Sequence, residues 1–395
     1  MDRRGFCLGV AAGVFASYGF ALGDKSDESP YALVARTDRK RILSAAARYL
    51  KEPVRTITAF PSERNPGGLH DFFSESDYFW PNPANPNGPY KERDGVTNPD
   101  NFLGHRKAMI ALSVQMPALT AAWLLTKDVR YSRKAVQHLL AWFVHPATRM
   151  NPNLEYAQGV RNGVTGRSYG IIDTLHLVEV ARAASVLGPD GCHHDTFAAI
   201  QDWFREYVHW MRTSAKGIKE RDATNNHATC WGLQVAEFAR LVKDDDALAE
   251  VRGIFAEKLV PQMAPEGYFP REVKRTKPYG YSIFNFDVLS ALAWSLGETR
   301  DGRKALFAQK DMEGACVCKA AAWIFPYLKD KSKWPYAHDV QHWESWPVRS
   351  PGLLFSGLAC GRGEYIQLWE KLDPDSTDPE VIRNFPVRQP LLWVS

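Results

Sequence analysis

His105-Arg106-Lys107-Ala108-Met109-Ile110-Ala111-Leu112-Ser113-Val114-Gln115-Met116-Pro117-Ala118-Leu119-Thr120-Ala121-Ala122-Trp123-Leu124-Leu125-Thr126-Lys127 decides the fold class. Met109, Leu112, Met116, Leu119 and Trp123 recur at three- and four-residue steps, which lays them along one stripe of an α-helix. Pro117 lies inside the pattern and predicts a kink there. The same spacing extends outward in both directions. Upstream, Ile42, Ala45, Ala46 and Tyr49 mark a helix over 38–51. Downstream, helical patterns run over roughly 130–144, 169–187, 195–214, 228–243, 246–260, 284–296, 302–328 and 352–370. Gly188-Pro189 and Gly297 read as stops. Alternating apolar and polar runs are scarce, so no large sheet is expected. Helices joined by short polar turns, with no repeat and no linker, point to one all-α domain over 24–395. A helical solenoid and an α/α toroid, in which helix pairs close a ring, both fit that pattern.

Two long segments do not read as helix. Residues 52–104 are rich in Pro, Gly, Asn and aromatics. Residues 262–281 hold Pro265, Gly267, Pro270 and Pro278 among charged and aromatic side chains. Long irregular segments in a compact domain tend to carry function. Placed over one end of a helical ring, they would form a cleft.

Composition narrows the class. Of 395 residues, 45% are hydrophobic and 24% charged, the balance of a globular domain. Aromatics reach 12%, with 13 Trp, enough for both a core and a sugar-stacking cleft. The net charge of +4 is dispersed, with no basic run of five, which argues against a nucleic-acid partner. At the N-terminus Arg3 and Arg4 precede an apolar, small-residue stretch to Ala21, and Ala21-Leu22-Gly23 offers a small-x-small cleavage site. This is the pattern of a secretory leader over 1–23, partly of twin-arginine type. It implies a periplasmic or secreted protein with no membrane attachment once the leader is removed. A short membrane anchor is the alternative, but the apolar run falls below the ~18–20 residues that span a bilayer. No later segment reads as a membrane span. Cys192, Cys230, Cys316, Cys318 and Cys360 remain after Cys7 leaves with the leader. Their spacing matches no zinc or disulfide framework, so buried thiols are expected, with room for one disulfide.

Two constellations could carry chemistry. Asn225-Asn226-His227 stands at the head of a helix, where it is either an ordinary N-cap or a set of amide and imidazole donors for an anion. The second runs from Arg271 through Lys274, Arg275, Lys277 and Tyr279 to Tyr281, before another helix. Together they hold what uronate elimination requires. The C5 proton lies α to a carboxylate and leaves only if donors stabilise the enolate-like charge that develops. A base must take that proton and an acid must protonate the leaving O4. In mannuronate or glucuronate both leave from one face, so a single tyrosine could serve twice. In guluronate they lie on opposite faces, and a second base such as histidine is needed. A neighbouring arginine is expected to favour the phenolate of such a tyrosine.

An ordered series of markers makes the resemblance specific. They are His70-Asp71-Phe72-Phe73-Ser74-Glu75 with Asp77-Tyr78-Phe79-Trp80, Pro89-Tyr90, Arg93-Asp94-Gly95, Asn98-Pro99, Asn151 to Gln158, Asn225-Asn226-His227, and Arg275 with Tyr281-Ser282 and Phe284-Asn285. The chain resembles the alginate lyase superfamily of α/α-toroid polysaccharide lyases, family 38 more closely than family 5. The resemblance implies a toroid or incomplete barrel of six to seven helix pairs with long loops over the cleft. It also implies an acidic polysaccharide as partner, and no cofactor or metal. By matching residues, Asn226 is the carboxylate neutraliser and His227 neutraliser or base. Tyr281 is the acid/base, Arg275 its support, and Tyr279 a second candidate tyrosine. Tyr281-Ser282 replaces the tyrosine–histidine pair expected of family 5, which removes the ground for a strict mannuronate preference. A cleft lined by Tyr78, Trp80, Arg93, His105, Arg106, Tyr156, Gln158, Asn225 and Trp231 is further implied. Asn162 and Arg167 are within reach of it, and His338 to Glu344 stand behind.

Two rivals remain. A glycoside hydrolase on a similar toroid would need two opposed carboxylates, and Glu272, Asp287 and Glu344 are available but unpaired in sequence. A non-catalytic glycan-binding protein would keep the aromatic cleft without using Tyr281. Cys192-His193-His194-Asp195 matches no structural zinc pattern.

Overall fold

Ser29 opens the first helix, α1 (Pro30–Tyr49). Its Oγ accepts from the Ala32 N–H at 3.1 Å, and Pro30 takes the first helical position, where a missing N–H is harmless. The computed structural model describes residues 28–395, so the expected leader over 1–23 lies outside the described residues. Beyond α1, five helices pack side by side in the order α2 (Gly104–Thr126), α4 (Leu177–Gly191), α7 (Asn226–Val242), α9 (Pro278–Leu296) and α12 (Pro351–Ala359). Each is followed by an outer partner: α3 (Val129–Leu139), α5 (His194–Thr213), α8 (Asp245–Ile254), α10 (Arg300–Ala308) and α13 (Gly363–Lys371). A short α6 (Ala215–Arg221) leads from α5 into α7, and α11 (Val317–Lys329) reinforces α9 and α12.

Inner helices must be apolar nearly all round, because both neighbours and the ring interior cover them. Every residue of α9 is buried except Tyr281. The sixth place is taken by α1, backed by α15 (Leu391–Val394), and is tied to the α12–α13 side by Arg349–Asp38 at 2.7 Å and Arg36–Glu370 at 3.2 Å. Trp393 of α15 fills the ring interior. Its carbonyl accepts from Trp294 Nε1 at 2.8 Å, and its ring meets Phe355 and the guanidinium of Arg182. The architecture is an α/α toroid.

Several boundaries differ from the sequence reading. The helix expected over 302–328 is two, α10 and α11, separated by a turn in which Gly314 holds φ +87°. That expected over 352–370 breaks at Gly361, φ +69°, between α12 and α13. The first part of 169–187 is a 3-10 helix, Ser168–Thr174, because it turns over the cleft before α4 begins. α2 runs on through Pro117. By length and composition α2 could cross a membrane, contrary to the sequence reading, but 67% of its apolar window is buried inside the protein, as befits a core helix. Cys318 and Cys360 form a disulfide between α11 and the end of α12, while Cys192, Cys230 and Cys316 are buried thiols.

Over one end of the ring lie the irregular segments. Strand β1 (Phe73–Glu75) pairs in parallel with β4 (Tyr156–Gly159), and β2 (Phe79–Trp80) pairs antiparallel with β3 (Lys91–Glu92). These short ladders set the position of Asp77, Tyr78 and Gln158 above the N-termini of α7 and α9.

Candidate active site

A cleft of about 730 Å³ opens between those loops and the first turns of α7 and α9. Both helix starts are held by side chains. Asn225 caps α7, accepting from the His227 N–H at 3.4 Å. Asp339 caps α9 from outside, accepting from the Tyr279 and Gly280 N–H groups at 2.8 and 2.9 Å. Gly280 suits that place, since a Cβ would stand 2.9 Å from the Asp339 carboxylate. The start of α9 at Pro278, rather than near 284, therefore places Tyr281 in the first helical turn.

Tyr281 is the centre of a polar cluster. Its Oη lies 3.0 Å from Tyr78 Oη and accepts from Arg275 Nη2 at 3.3 Å. The Arg275 guanidinium also covers the Tyr281 ring, 4.3 Å from its centroid. Asp94 fixes Arg275 through two contacts, at 2.6 and 3.1 Å, and takes a third hydrogen bond from Thr276 Oγ1. Burial raises the Tyr281 phenol well above its ordinary range. Tyr78 adds to that, and the nearby Arg275 cation offsets only part. Arg275 does favour the phenolate, as expected from the sequence, but burial outweighs it, so at rest Tyr281 keeps its proton.

Across the cleft, Asn226 and His227 are each backed by a buried carboxylate. Glu272 accepts from the Asn226 backbone N–H and from its Nδ2, both at 2.8 Å. Burial raises the Glu272 pKa, with the two Asn226 hydrogen bonds opposing. Glu220, fully buried on α6, meets His227 Nδ1 at 2.5 Å, and its second oxygen has no partner in the protein. With Glu220 as the acceptor in this pair, Nδ1 carries the hydrogen and Nε2 is the nitrogen turned to the cleft chemistry. Tyr169 packs on the imidazole, 4.8 Å between centroids.

Three of the four carboxylates that line the cleft, Asp77, Asp94 and Asp173, are committed to arginines, while Glu92 is exposed. Asp77 is gripped by Arg106 at 2.6 Å and by Arg383, and Asp173 by Arg106 at 3.1 Å. Burial alone would raise Asp77, but the two arginines outweigh it and hold its carboxyl below the usual range. Asp94 is likewise held down by Arg275, against burial. Neither can rest as the proton donor that a hydrolase needs. Of the three carboxylates considered for hydrolysis, Glu272 is sealed behind Asn226. Asp287 is buried against Ser350 and Gly352, and Glu344 is exposed on Lys331. Cations, by contrast, face the cleft. Arg167 lies between the Phe79 and Tyr169 rings at 4.7 and 5.1 Å, anchored on Gln158, and Arg271 and Lys274 line the same wall.

Of the residues singled out in sequence, Tyr78, Gln158, Asn225, Asn226, His227, Arg275 and Tyr281 converge on the cleft. Others do not. Trp231 lies five residues past Asn226, which rotates it about 140° round the helix into the core, where its Nε1 donates to the Met211 carbonyl at 3.2 Å. Tyr279, two residues before Tyr281, points the opposite way and donates to the Tyr327 carbonyl at 2.9 Å. His105 is buried between the Phe73 N–H and the Phe60 carbonyl, and Arg106 is buried as the clamp of Asp77 and Asp173. Trp80 donates to the Val96 carbonyl beneath Arg93, which is exposed. Tyr156 packs against Gly67, and Asn162 occupies an exposed turn at φ +57°. Among the described residues no group of three or more His, Cys, Asp or Glu is arranged to hold a metal ion, the Cys192–Asp195 run included.

The cleft also holds residues that sequence patterns did not raise: Tyr169, His176, Arg383 and Asn384. Asp378-Pro379 is a helix-start signal that marks α14 (Pro379–Asn384), yet nothing in the sequence brings that helix to the cleft.

A family model described as alginate lyase matches residues 56–334. Among solved structures, the chain resembles an alginate lyase from Bacteroides ovatus, with 26% identity and a TM-score of 0.77 over 92% of this chain and 97% of that one. Alginate lyase A1-III from a Sphingomonas species also matches, with 14% identity and a TM-score of 0.47 over 85% and 89% of the two chains. No curated protein matches the chain.

Proposed function

The chain belongs to the alginate lyase family and is a polysaccharide lyase, and from that premise we propose that it cleaves 1,4-linked polyuronates by β-elimination with Tyr281 as acid and His227 as base. Alginate is the substrate proposed: a histidine base with a tyrosine acid suits the opposite faces of its guluronate residues, whereas mannuronate blocks and glucuronan would use Tyr281 for both steps. The observation that carries this reading is the convergence of Asn226, His227, Arg275 and Tyr281, from two helix starts, on one cleft. Asn226 faces it with Nδ2 fixed by Glu272, suited to hold a C5 carboxylate as charge builds on it. His227 Nε2 takes the C5 proton, that electron pair becomes the C4–C5 double bond, and O4 leaves with the Tyr281 hydrogen. The neutral resting phenol supports the acid role. Arg167, Arg271 and Lys274 supply the positive wall that a polyanion needs. Export is part of the proposal: the Arg3-Arg4 leader pattern and the Cys318–Cys360 disulfide both favour an oxidising compartment.

The test is product chemistry on polymannuronate, polyguluronate and glucuronan. Ultraviolet absorbance of the unsaturated uronate should rise in step with new reducing ends, and the ranking of polymers reads on which side of the sugar His227 lies. New reducing ends without absorbance would mean hydrolysis and overturn the proposal.

A further inference from the structure

The phenol pair Tyr281–Tyr78 does not end at Tyr78. Arg383, on α14 and beyond the matched segment 56–334, places Nη2 3.4 Å from Tyr78 Oη. Its Nη1 is bound to Asp77, the residue before Tyr78, and Nη2 also meets Glu380 at 3.0 Å. Glu380 in turn binds Lys277 at 2.6 Å, and the Lys277 ammonium sits 5.1 Å from the Tyr78 ring centroid. α14 itself is pinned: Asp378 caps it and accepts from Ser345 Oγ at 2.6 Å. Arg383 is therefore fixed on both sides of Tyr78 rather than free to follow a ligand.

A guanidinium can only donate, whereas a phenol donates once and accepts twice. With Arg383 donating to Tyr78 Oη, the Tyr78 hydrogen is available to Tyr281 Oη, which also accepts from Arg275. When Tyr281 gives its proton to O4, the phenolate left behind is met by two donors, and Tyr78 is polarised from the far side by Arg383. Donors aligned in series strengthen one another.

We infer that Arg383 is a positioning residue for the elimination, acting through Tyr78 to hold the charge that Tyr281 acquires as its proton leaves. This rests on Tyr281 being the acid. Tyr78→Phe should lower kcat by roughly 100-fold, the scale of a lost donor to a developing oxyanion, and Arg383→Met by roughly tenfold, because it acts one hydrogen bond away, each with KM within about twofold of wild type. Arg383→Lys should recover part of the loss. In a Tyr78→Phe background, Arg383→Met should cost less than about twofold more, since the path through Tyr78 is already cut. A rise in KM with unchanged kcat would overturn the inference in favour of direct substrate binding, and full additivity of the two substitutions would do the same. Melting curves identify an Arg383→Met protein that fails to fold, in which case Tyr78→Phe decides: a fully active Tyr78→Phe enzyme overturns the inference. Tyr281→Phe separates the two levels. If it is inactive while Arg383→Met and Tyr78→Phe match wild type, only the role of Arg383 falls; if it is fully active, the acid assignment falls and takes this inference with it.

Discussion

Replacing Glu220 by Gln tests whether His227 works as a base. The two side chains have the same shape, and Glu220 is fully buried, so packing is unchanged. What changes is the bond to His227 Nδ1, 2.5 Å in the wild type. A hydrogen bond to an ionised partner contributes about 1.5–3 kcal/mol, and a neutral one about 0.5–1.5. The imidazolium formed when Nε2 takes the C5 proton thus loses about 1–2 kcal/mol of support, while substrate binding is untouched. At about 1.4 kcal/mol per decade, kcat should fall roughly 5- to 30-fold with KM nearly constant. The assay is the initial rate of unsaturated-product absorbance at saturating polymer, with a melting curve to show that the fold is intact. An intact Glu220→Gln enzyme with wild-type kcat would refute the reasoning, because the imidazolium formed at His227 would then draw no support from the carboxylate behind it.

Two further outcomes follow from buried carboxylates. Glu272→Gln turns one acceptor oxygen into a donor facing Asn226, leaving a buried N–H unsatisfied, so stability should fall by about 1–3 kcal/mol in denaturant unfolding, and kcat/KM should also fall in steady-state kinetics because Asn226 is no longer held. Asp287 is raised by burial from 3.8 to about 7, so its folded form favours the proton. Stability from this group is fully present below pH 3.8 and lost as pH rises through 7. Both hydrogen bonds to Asp287 fall on one oxygen, which Asn retains, so Asp287→Asn should gain on the order of 2–4 kcal/mol over wild type at pH 8 and little at pH 4. Denaturant unfolding at the two pH values checks it, and an equal effect at both would rule it out.

The helical class was legible because inner helices advertise themselves. The α2 stripe and the predominantly apolar α9 have no other use for so many buried side chains. Breaks were less legible: Gly314 and Gly361 interrupt runs whose apolar spacing carries straight across them. In the site, Asn226, His227, Arg275 and Tyr281 were readable because their chemistry makes sense together. Trp231 and Tyr279 were misplaced by rotation, since nearness in sequence to a functional residue says nothing about which face of a helix a side chain takes. His105 and Arg106 hold the loops from beneath, a role that composition cannot tell from lining. Glu220 and Glu272 went unrecognised as partners because a carboxylate inside a charged stretch reads as solvated. Arg383 reaches the cleft only through the tertiary fold.

The most direct measurement is the product of Tyr281→Phe on the polymer that the wild type cleaves best. The substitution removes one oxygen, keeps the ring that Arg275 covers, and takes away the proton donor proposed for O4. The account predicts a folded protein that still binds the polymer and yields at least about 100-fold less unsaturated product, the lower bound of a positioned general acid. Unsaturated product at the wild-type rate would contradict it.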